Sequence, residues 1–506
     1  MLPNPESLSN ELLAAQCIMP RLVPRDYAEN PELQKEISEL IQRGIGGFCV
    51  FQGEADPTAL LLHQLQLNSE IPLLFSADYE HGLPMRLEGG TDMPHAMSMM
   101  QAHDPDATRK AAGYIAKEAR TIGVHWNFAP VCDINTDTNN PIINIRAFAE
   151  SPEQAEAHIT AFIHGTQSAG VMACAKHFPG HGNTSTDSHS ALPLIDCALD
   201  ELKSREFLPF KTAIEADVRS IMIGHLAIPA LDASGLPASL SRIIMHDLLR
   251  KEWIACLQAG ATIALVPDNA IEALNGLIEH VNTHPEFREV LIENVKRIFA
   301  EKEWCDLSEK PQLQPPLDSK VMEEHAMHAL NMAKKGLRVH DPKSLLPIPE
   351  TASFAAFAVL GDESEQTLEK GISLFRVMAQ SLEQECDLGF INKDITIEEA
   401  QEFAETIKDV DTVILGLLMK PQSYKGTIGI NPEIAQAIEI LTKDKKTIAF
   451  LLGSPYLHSS ISADAYVCAF SDALPSIAAA ALTLSGRSFG KEWSSSDAGN
   501  FHPESI

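Results

Sequence analysis

Short apolar runs alternate with amphipathic helical patterns over the first 300 or so residues, and nothing else in the chain narrows its possible folds as far. Runs at 13–19, 47–51, 72–77, 124–131, 171–175, 220–228 and 262–266 are each followed by polar turn residues and read as strands. Between them, 105–122, with Asp104 or Asp106 as its cap, and 151–168 read as helices. Repeated strand-helix alternation implies an α/β fold, a (β/α) barrel of the TIM type. The pattern yields seven strands where a complete barrel has eight.

Residues 305–320, with Pro311, Pro315 and Pro316, read as a linker. Beyond it a helix at 321–335 leads into a second pattern, with strands at 354–360, 412–418, 447–452 and 465–469 and helices between them, which fits an open three-layer α/β sandwich. A chain of 506 residues also exceeds what one core supports. The expected organisation is a barrel domain over 1–304, a linker over 305–320 and a sandwich domain over 321–506. No phosphate-binding glycine motif stands at any strand-helix junction, so no nucleotide site is expected.

The chemistry concentrates in one loop, Lys176-His-Phe-Pro-Gly-His-Gly-Asn-Thr-Ser-Thr-Asp-Ser-His189, which begins where the run at 171–175 ends. Pro179, Gly180 and Gly182 keep it from being helical. Strand ends are where parallel α/β folds put their reactive groups. Asp187, two residues from His189, can accept a hydrogen bond from one ring nitrogen, which fixes the tautomer, raises the pKa and leaves the other nitrogen to move a proton. Metal ligation by His177, His181 and His189 is the rival reading. The Pro-Gly pair removes the helical face that a His-x-x-x-His pair needs, and no cysteine pair or second carboxylate is near, so no metal is expected.

Charge and cysteine content bound the rest. With 69 acidic against 39 basic residues the net charge is -30, which disfavours nucleic acid and anionic membranes as partners and favours solubility. The nine cysteines are scattered, several inside apolar runs (Cys49, Cys132, Cys174, Cys468), and read as reduced core thiols. No basic residue precedes Arg21 and no apolar stretch approaches the ~20 residues of a spanning helix, so a cytoplasmic location is expected.

The loop resembles the signature of the family-3 glycoside hydrolases, in particular their β-N-acetylhexosaminidase branch. Other segments agree in order: Gly46-Gly47-Phe48, Phe75 through Gly82, Asn127-Phe-Ala-Pro-Val-Cys-Asp133, Asn140-Pro141 through Arg146, and Leu236 through Ser241, over roughly residues 10–300. The resemblance implies hydrolysis of terminal β-linked N-acetylglucosamine from glycans or peptidoglycan fragments, without metal or organic cofactor. It makes His189 the acid/base oriented by Asp187, and gives the sugar to Asp78, Arg86, Arg146, Lys176 and His177. Paired charged donors and acceptors at strand ends suit hydroxyl recognition.

The chain departs from the family pattern in three places. His81-Gly82-Leu83 stands where Gly-Gly-Arg is usual, and Asn183 replaces a common Asp. The third departure concerns the nucleophile, which in the family is an Asp at the end of the seventh barrel strand, in a Thr-Asp or Ser-Asp pair between segments matching 236–241 and 259–267. Here 242–258 reads instead as one amphipathic helix, with Ile243, Ile244, Leu248 and Leu249 on the buried side and Trp253 bordering them. Asp247 and Glu252 inside it follow no strand. Asp268, just past the last strand, is the geometric substitute for the nucleophile, unless it caps the next helix. An impaired amino-sugar-binding or regulatory protein is therefore the alternative to an active hydrolase, and the missing segment is either natural or a deletion.

Overall fold

A computed structural model describes residues 1–184, 192–245, 248, 262–382, 387–421, 428–488 and 491–492. The first half forms parallel strands with helices packed outside them. Strands β1 (Ile18–Met19) and β2 (Arg21–Leu22) flank Pro20, which has no N–H to give a ladder. From β2 the order runs through β3 (Gly47–Val50), β4 (Leu74–Ala77), β5 (Trp126–Asn127), β6 (Met172–Phe178) and β7 (Ser220–Ile223), every pair parallel. On its other side β1 pairs with β8 (Ala264–Leu265), Ile18 opposite Ala264. This is the expected TIM-like arrangement, and among the described residues no ladder joins β7 to β8.

Two of the expected strands are corrected. Residues 13–19 are mostly helix: α1 (Asn10–Gln16) starts at Ser9, whose hydroxyl accepts the Leu12 N–H at 3.2 Å, and strand geometry begins at Ile18. An apolar run this short does not distinguish the two forms until its cap is weighed. The run at 124–131 pairs in regular ladder only at Trp126 and Asn127, with a single bridge from Val131 to Lys176, because Pro130 breaks the hydrogen-bonding row. Helix α2 (Pro105–Ile122) behaves as expected. Asp104 accepts the Ala107 N–H, Pro105 fits the first turn, and Ala111, Ile115, Ala119 and Ile122 line the buried stripe. Helix α3 (Pro152–Ser168) packs beside it.

Past β8, helices α4 (Ala270–Thr283) and α5 (Phe287–Trp304) close the first half. Residues 305–318 contain no helix or strand, yet Cys305 and Leu307 are buried against the barrel and Lys310 donates to the Leu67 carbonyl at 2.8 Å. Helix α6 (Ser319–Gly336) then leads into the second sheet. Its strands are β9 (Arg338–His340), β10 (Phe354–Leu360), β11 (Asp387–Ile391), β12 (Thr412–Met419), β13 (Lys446–Gly453), β14 (Ala465–Cys468) and β15 (Lys491–Glu492). They lie in the order β11-β10-β12-β13-β14-β9-β15, with β9 antiparallel to β14 and the other pairs parallel. Alternate residues of β10 face two separate cores, Ala355, Phe357 and Val359 on one side and Phe354, Ala356 and Ala358 on the other, so the sheet is a middle layer. Strands β9, β11 and β15 were not foreseen.

The two halves meet through the carboxyl ends of their strands. Met97, in the short helix Ala96–Gln101, and Ile145, in the helical turn Asn144–Arg146, pack into one core of the second sheet. Among the described residues no helix is long and apolar enough to cross a membrane, and the described cysteines, including Cys49, Cys132, Cys174 and Cys468, are free thiols.

Candidate active site

Strand β4 ends at Ala77, so the alternating residues Asp78 and Glu80 emerge together at the carboxyl end of the barrel. Buried Tyr79 between them is held on both sides of its backbone by Asn127, whose amide accepts the Tyr79 N–H at 2.9 Å and donates to the Tyr79 carbonyl at 3.1 Å. Lys176, on β6, enters from the neighbouring side with a nearly inaccessible side chain. Its ammonium lies 2.7 Å from Asp78 Oδ1 and 2.6 Å from Glu80 Oε1. Arg86 reaches Asp78 Oδ2 at 2.6 Å and lays its guanidinium 4.9 Å from the Phe51 ring centroid. Arg146 grips Glu80 with two nitrogens, at 2.9 and 2.8 Å.

Burial alone would raise the Asp78 carboxyl, but Lys176 and Arg86 outweigh it and hold it below the usual carboxylate range. Glu80 is likewise pushed up by burial and then held well below that range by Arg146 and Lys176. For Lys176, the desolvation that favours its neutral form is overcome by Asp78 and Glu80, so it stays charged.

His177 is placed by a third carboxylate. Asp133 follows the strand-like stretch that bridges to Lys176, and its Oδ2 lies 2.7 Å from His177 Nδ1. Its Oδ1 accepts the His181 N–H at 2.7 Å and the His177 N–H at 3.2 Å. Asn140 donates to the carbonyls of His181 and Gly182, and a Cβ on Gly182 would stand 1.6 Å from the Ile134 carbonyl oxygen, so only glycine allows this approach. Both ring nitrogens of His181 are buried without a hydrogen-bond partner among the described residues, and burial, with His177 nearby, depresses its pKa to about 4. Beneath the loop lies Glu206, buried against Gly180 and paired with Arg205. Burial raises its carboxyl to about 7.

The five residues expected to hold the sugar, Asp78, Arg86, Arg146, Lys176 and His177, therefore come from four separate segments to one place. Glu80 and Asp133 complete the cluster and were not anticipated, although both stand inside the motifs that suggested the site. The alternation of Asp78 and Glu80 at a strand end was the available signal for the first. His81 points elsewhere: it pairs with Asp92 at 3.0 Å and stacks on His95 at a centroid distance of 4.1 Å, on the side of the second sheet.

Asp187 and His189 lie outside the described residues. Asp268 is exposed beyond β8 and makes no hydrogen bond or ion pair among the described residues; the cap of α4 is its neighbour Asn269, which accepts the Glu272 N–H at 3.0 Å. Of the helix expected over 242–258, only 242–245 and Leu248 are described. There Ile244 is buried but Ile243 is 47% exposed, which corrects its placement on the buried side. A concavity at the opposite end of the barrel, lined by His63, Arg120 and His125, lies where barrels of this kind carry stability.

Every oxygen of Asp78, Glu80 and Asp133 is engaged by a cation, a ring or an amide. Three carboxylates and three cations thus form a fixed array of oriented donors and acceptors suited to hydroxyl groups, with none of the three carboxylates left free to attack carbon. Among the described residues no group of three or more His, Cys, Asp or Glu is arranged to hold a metal ion.

A family model described as the glycosyl hydrolase family 3 N terminal domain matches residues 14–254. The chain is similar to beta-hexosaminidase A of Pseudoalteromonas piscicida, 30% identical over 367 residues that cover 68% of this chain and 60% of that protein. It is also similar to a beta-hexosaminidase of Methylococcus capsulatus, 34% identical over 228 residues, 44% of this chain and 67% of the relative. Among solved structures it is similar to a glycoside hydrolase family 3 beta-N-acetylglucosaminidase from Paenibacillus, with a TM-score of 0.82 and 25% identity over 96% of this chain and 98% of that one. The first of these relatives is thus matched over less than two thirds of its length.

Proposed function

The chain belongs to glycosyl hydrolase family 3, and from that premise we propose that it hydrolyses terminal, non-reducing β-linked N-acetylglucosamine from a glycan or peptidoglycan fragment. The observation that carries this reading is the convergence of Asp78, Arg86, Arg146, Lys176 and His177, with Glu80 and Asp133, at the carboxyl end of the barrel. Relatives that share the family bear hexosaminidase names. In this reading the charged array binds the sugar hydroxyls, and His189, oriented by Asp187, protonates the departing glycosidic oxygen and then activates water.

The step that needs a carboxylate beneath the anomeric carbon is the weak one, because among the described residues Asp78, Glu80 and Asp133 are each already engaged. A proton donor without a nucleophile stabilises only part of an oxocarbenium-like transition state. Turnover is therefore expected at least ~100-fold below that of a complete relative, with sugar binding partly retained. Release of chromophore from an aryl β-N-acetylglucosaminide tests this. His189→Ala should lower turnover much more than it weakens binding of N-acetylglucosamine. Failure of the parent protein to bind that sugar would sink the proposal, and turnover equal to a complete relative would show that another group supplies the nucleophile.

A further inference from the structure

The segment from Asp133 to Glu150 carries two of the site's groups, Asp133 against His177 and Arg146 against Glu80, yet it has almost no regular structure of its own. Asn135 organises it. Its side-chain oxygen accepts the Asn144 N–H at 2.9 Å and its backbone N–H donates to the Ala149 carbonyl at 3.1 Å, so both arms of the loop close on one residue. The side-chain amide nitrogen of Asn135 donates out of the barrel half altogether, to the hydroxyl of Tyr456 at 3.0 Å. That hydroxyl donates in turn to Glu150 Oε1 at 2.5 Å. Tyr456 lies in the short helix Pro455–Ser460 that follows β13 of the second sheet. Burial, reinforced by Glu150, raises its phenol well above the ordinary range, so the proton it donates stays in place.

We propose that Tyr456 is a positioning residue for the sugar site: its hydroxyl, bridging Asn135 and Glu150, holds the 133–150 loop in the form that presents Asp133 to His177 and Arg146 to Glu80. The proposal gives the second sheet a part in recognition without contact to the sugar. Its reference to sugar rests on the function proposed above, while the claim about the loop does not. A phenylalanine fills nearly the same volume, so the hydroxyl can be removed with the packing kept. Tyr466 supplies the control. Its hydroxyl bonds the Ile461 carbonyl and the Ala463 N–H inside the second half, away from the loop.

The test compares Tyr456→Phe and Tyr466→Phe with the parent, by backbone hydrogen exchange and by calorimetric titration with N-acetylglucosamine. For Tyr456→Phe the expected result is faster exchange confined to 133–150 and sugar affinity lowered about tenfold. Tyr466→Phe should leave both unchanged. Unaltered exchange over 133–150, an increase spread evenly over the whole chain, or faster exchange with undiminished affinity would each overturn the proposal. If the parent binds no N-acetylglucosamine the proposed function fails, and the exchange pattern alone decides whether Tyr456 holds the loop.

Discussion

Glu206 is a carboxyl held where water cannot reach it, with one oxygen facing Arg205 and the other without a hydrogen-bond partner among the described residues. Its folded pKa of about 7 lies above the ordinary value of 4.5, so the folded protein keeps a proton that the unfolded chain releases. Stability from this group is complete below about pH 4.5, is lost progressively as pH rises toward 7, and stays lost above it. Glu206→Gln should therefore raise the melting temperature by a few degrees at pH 8 and leave it unchanged at pH 4, in thermal unfolding followed at both values. An equal difference at the two pH values would show that the carboxyl is not the cause. Residues of this kind are poorly legible in a sequence. Lys176, His177 and Asp78 could be read from their motifs because few folds put such groups beside strand ends without using them. Glu80, Asp133 and Glu206 owe their state to partners and burial that arise only in three dimensions.

At the level of elements, β6 is paired on both sides, with β5 and β7, whereas β7 pairs among the described residues with β6 alone. All four of its residues remain partly accessible. The amides of 220–223 should exchange faster than those of 172–178, by hydrogen exchange read at the level of single strands. Equal protection would mean that another segment covers β7. The strands from β3 to β8 were legible because each apolar run was followed by turn residues. Errors fell where that signal is weak. Residues 13–19 hid a helix whose cap, Ser9, stands just outside the run. Two of the three residues in β9 are polar, Arg338 and His340, and Arg338 is buried because it donates to the Gln101 carbonyl at 2.7 Å, a partner 237 positions away. Strand β11 opens on Asp387 and includes Gly389, both unfavourable for strands and tolerated here at a sheet edge.

For the whole molecule, the seam between the halves is built from charge as well as apolar packing. Asp472, beyond the end of β14, is buried between Lys370 at 2.8 Å and Lys420 at 3.0 Å, with His95 of the barrel half at 3.7 Å. Removing one member of such a cluster leaves the others uncompensated, at a cost of about 3–5 kcal/mol. Asp472→Ala should lower the unfolding free energy by that order in denaturant titration, and a loss under ~1 kcal/mol would show that the lysines find water instead. Five parallel strands of the second sheet follow the order 2-1-3-4-5, and open sheets of that order admit ligands at the carboxyl ends of their strands. Here that end receives the first half of the chain: Asp92 accepts the Leu474 N–H at 2.9 Å and His95 meets Ser471. The two halves are consequently one unit of inheritance. A gene exchange that brought in a foreign second half would have to bring matching receivers for Asp92, His95 and Asn135, so productive crossovers between relatives should fall outside the pair rather than at the stretch that joins them.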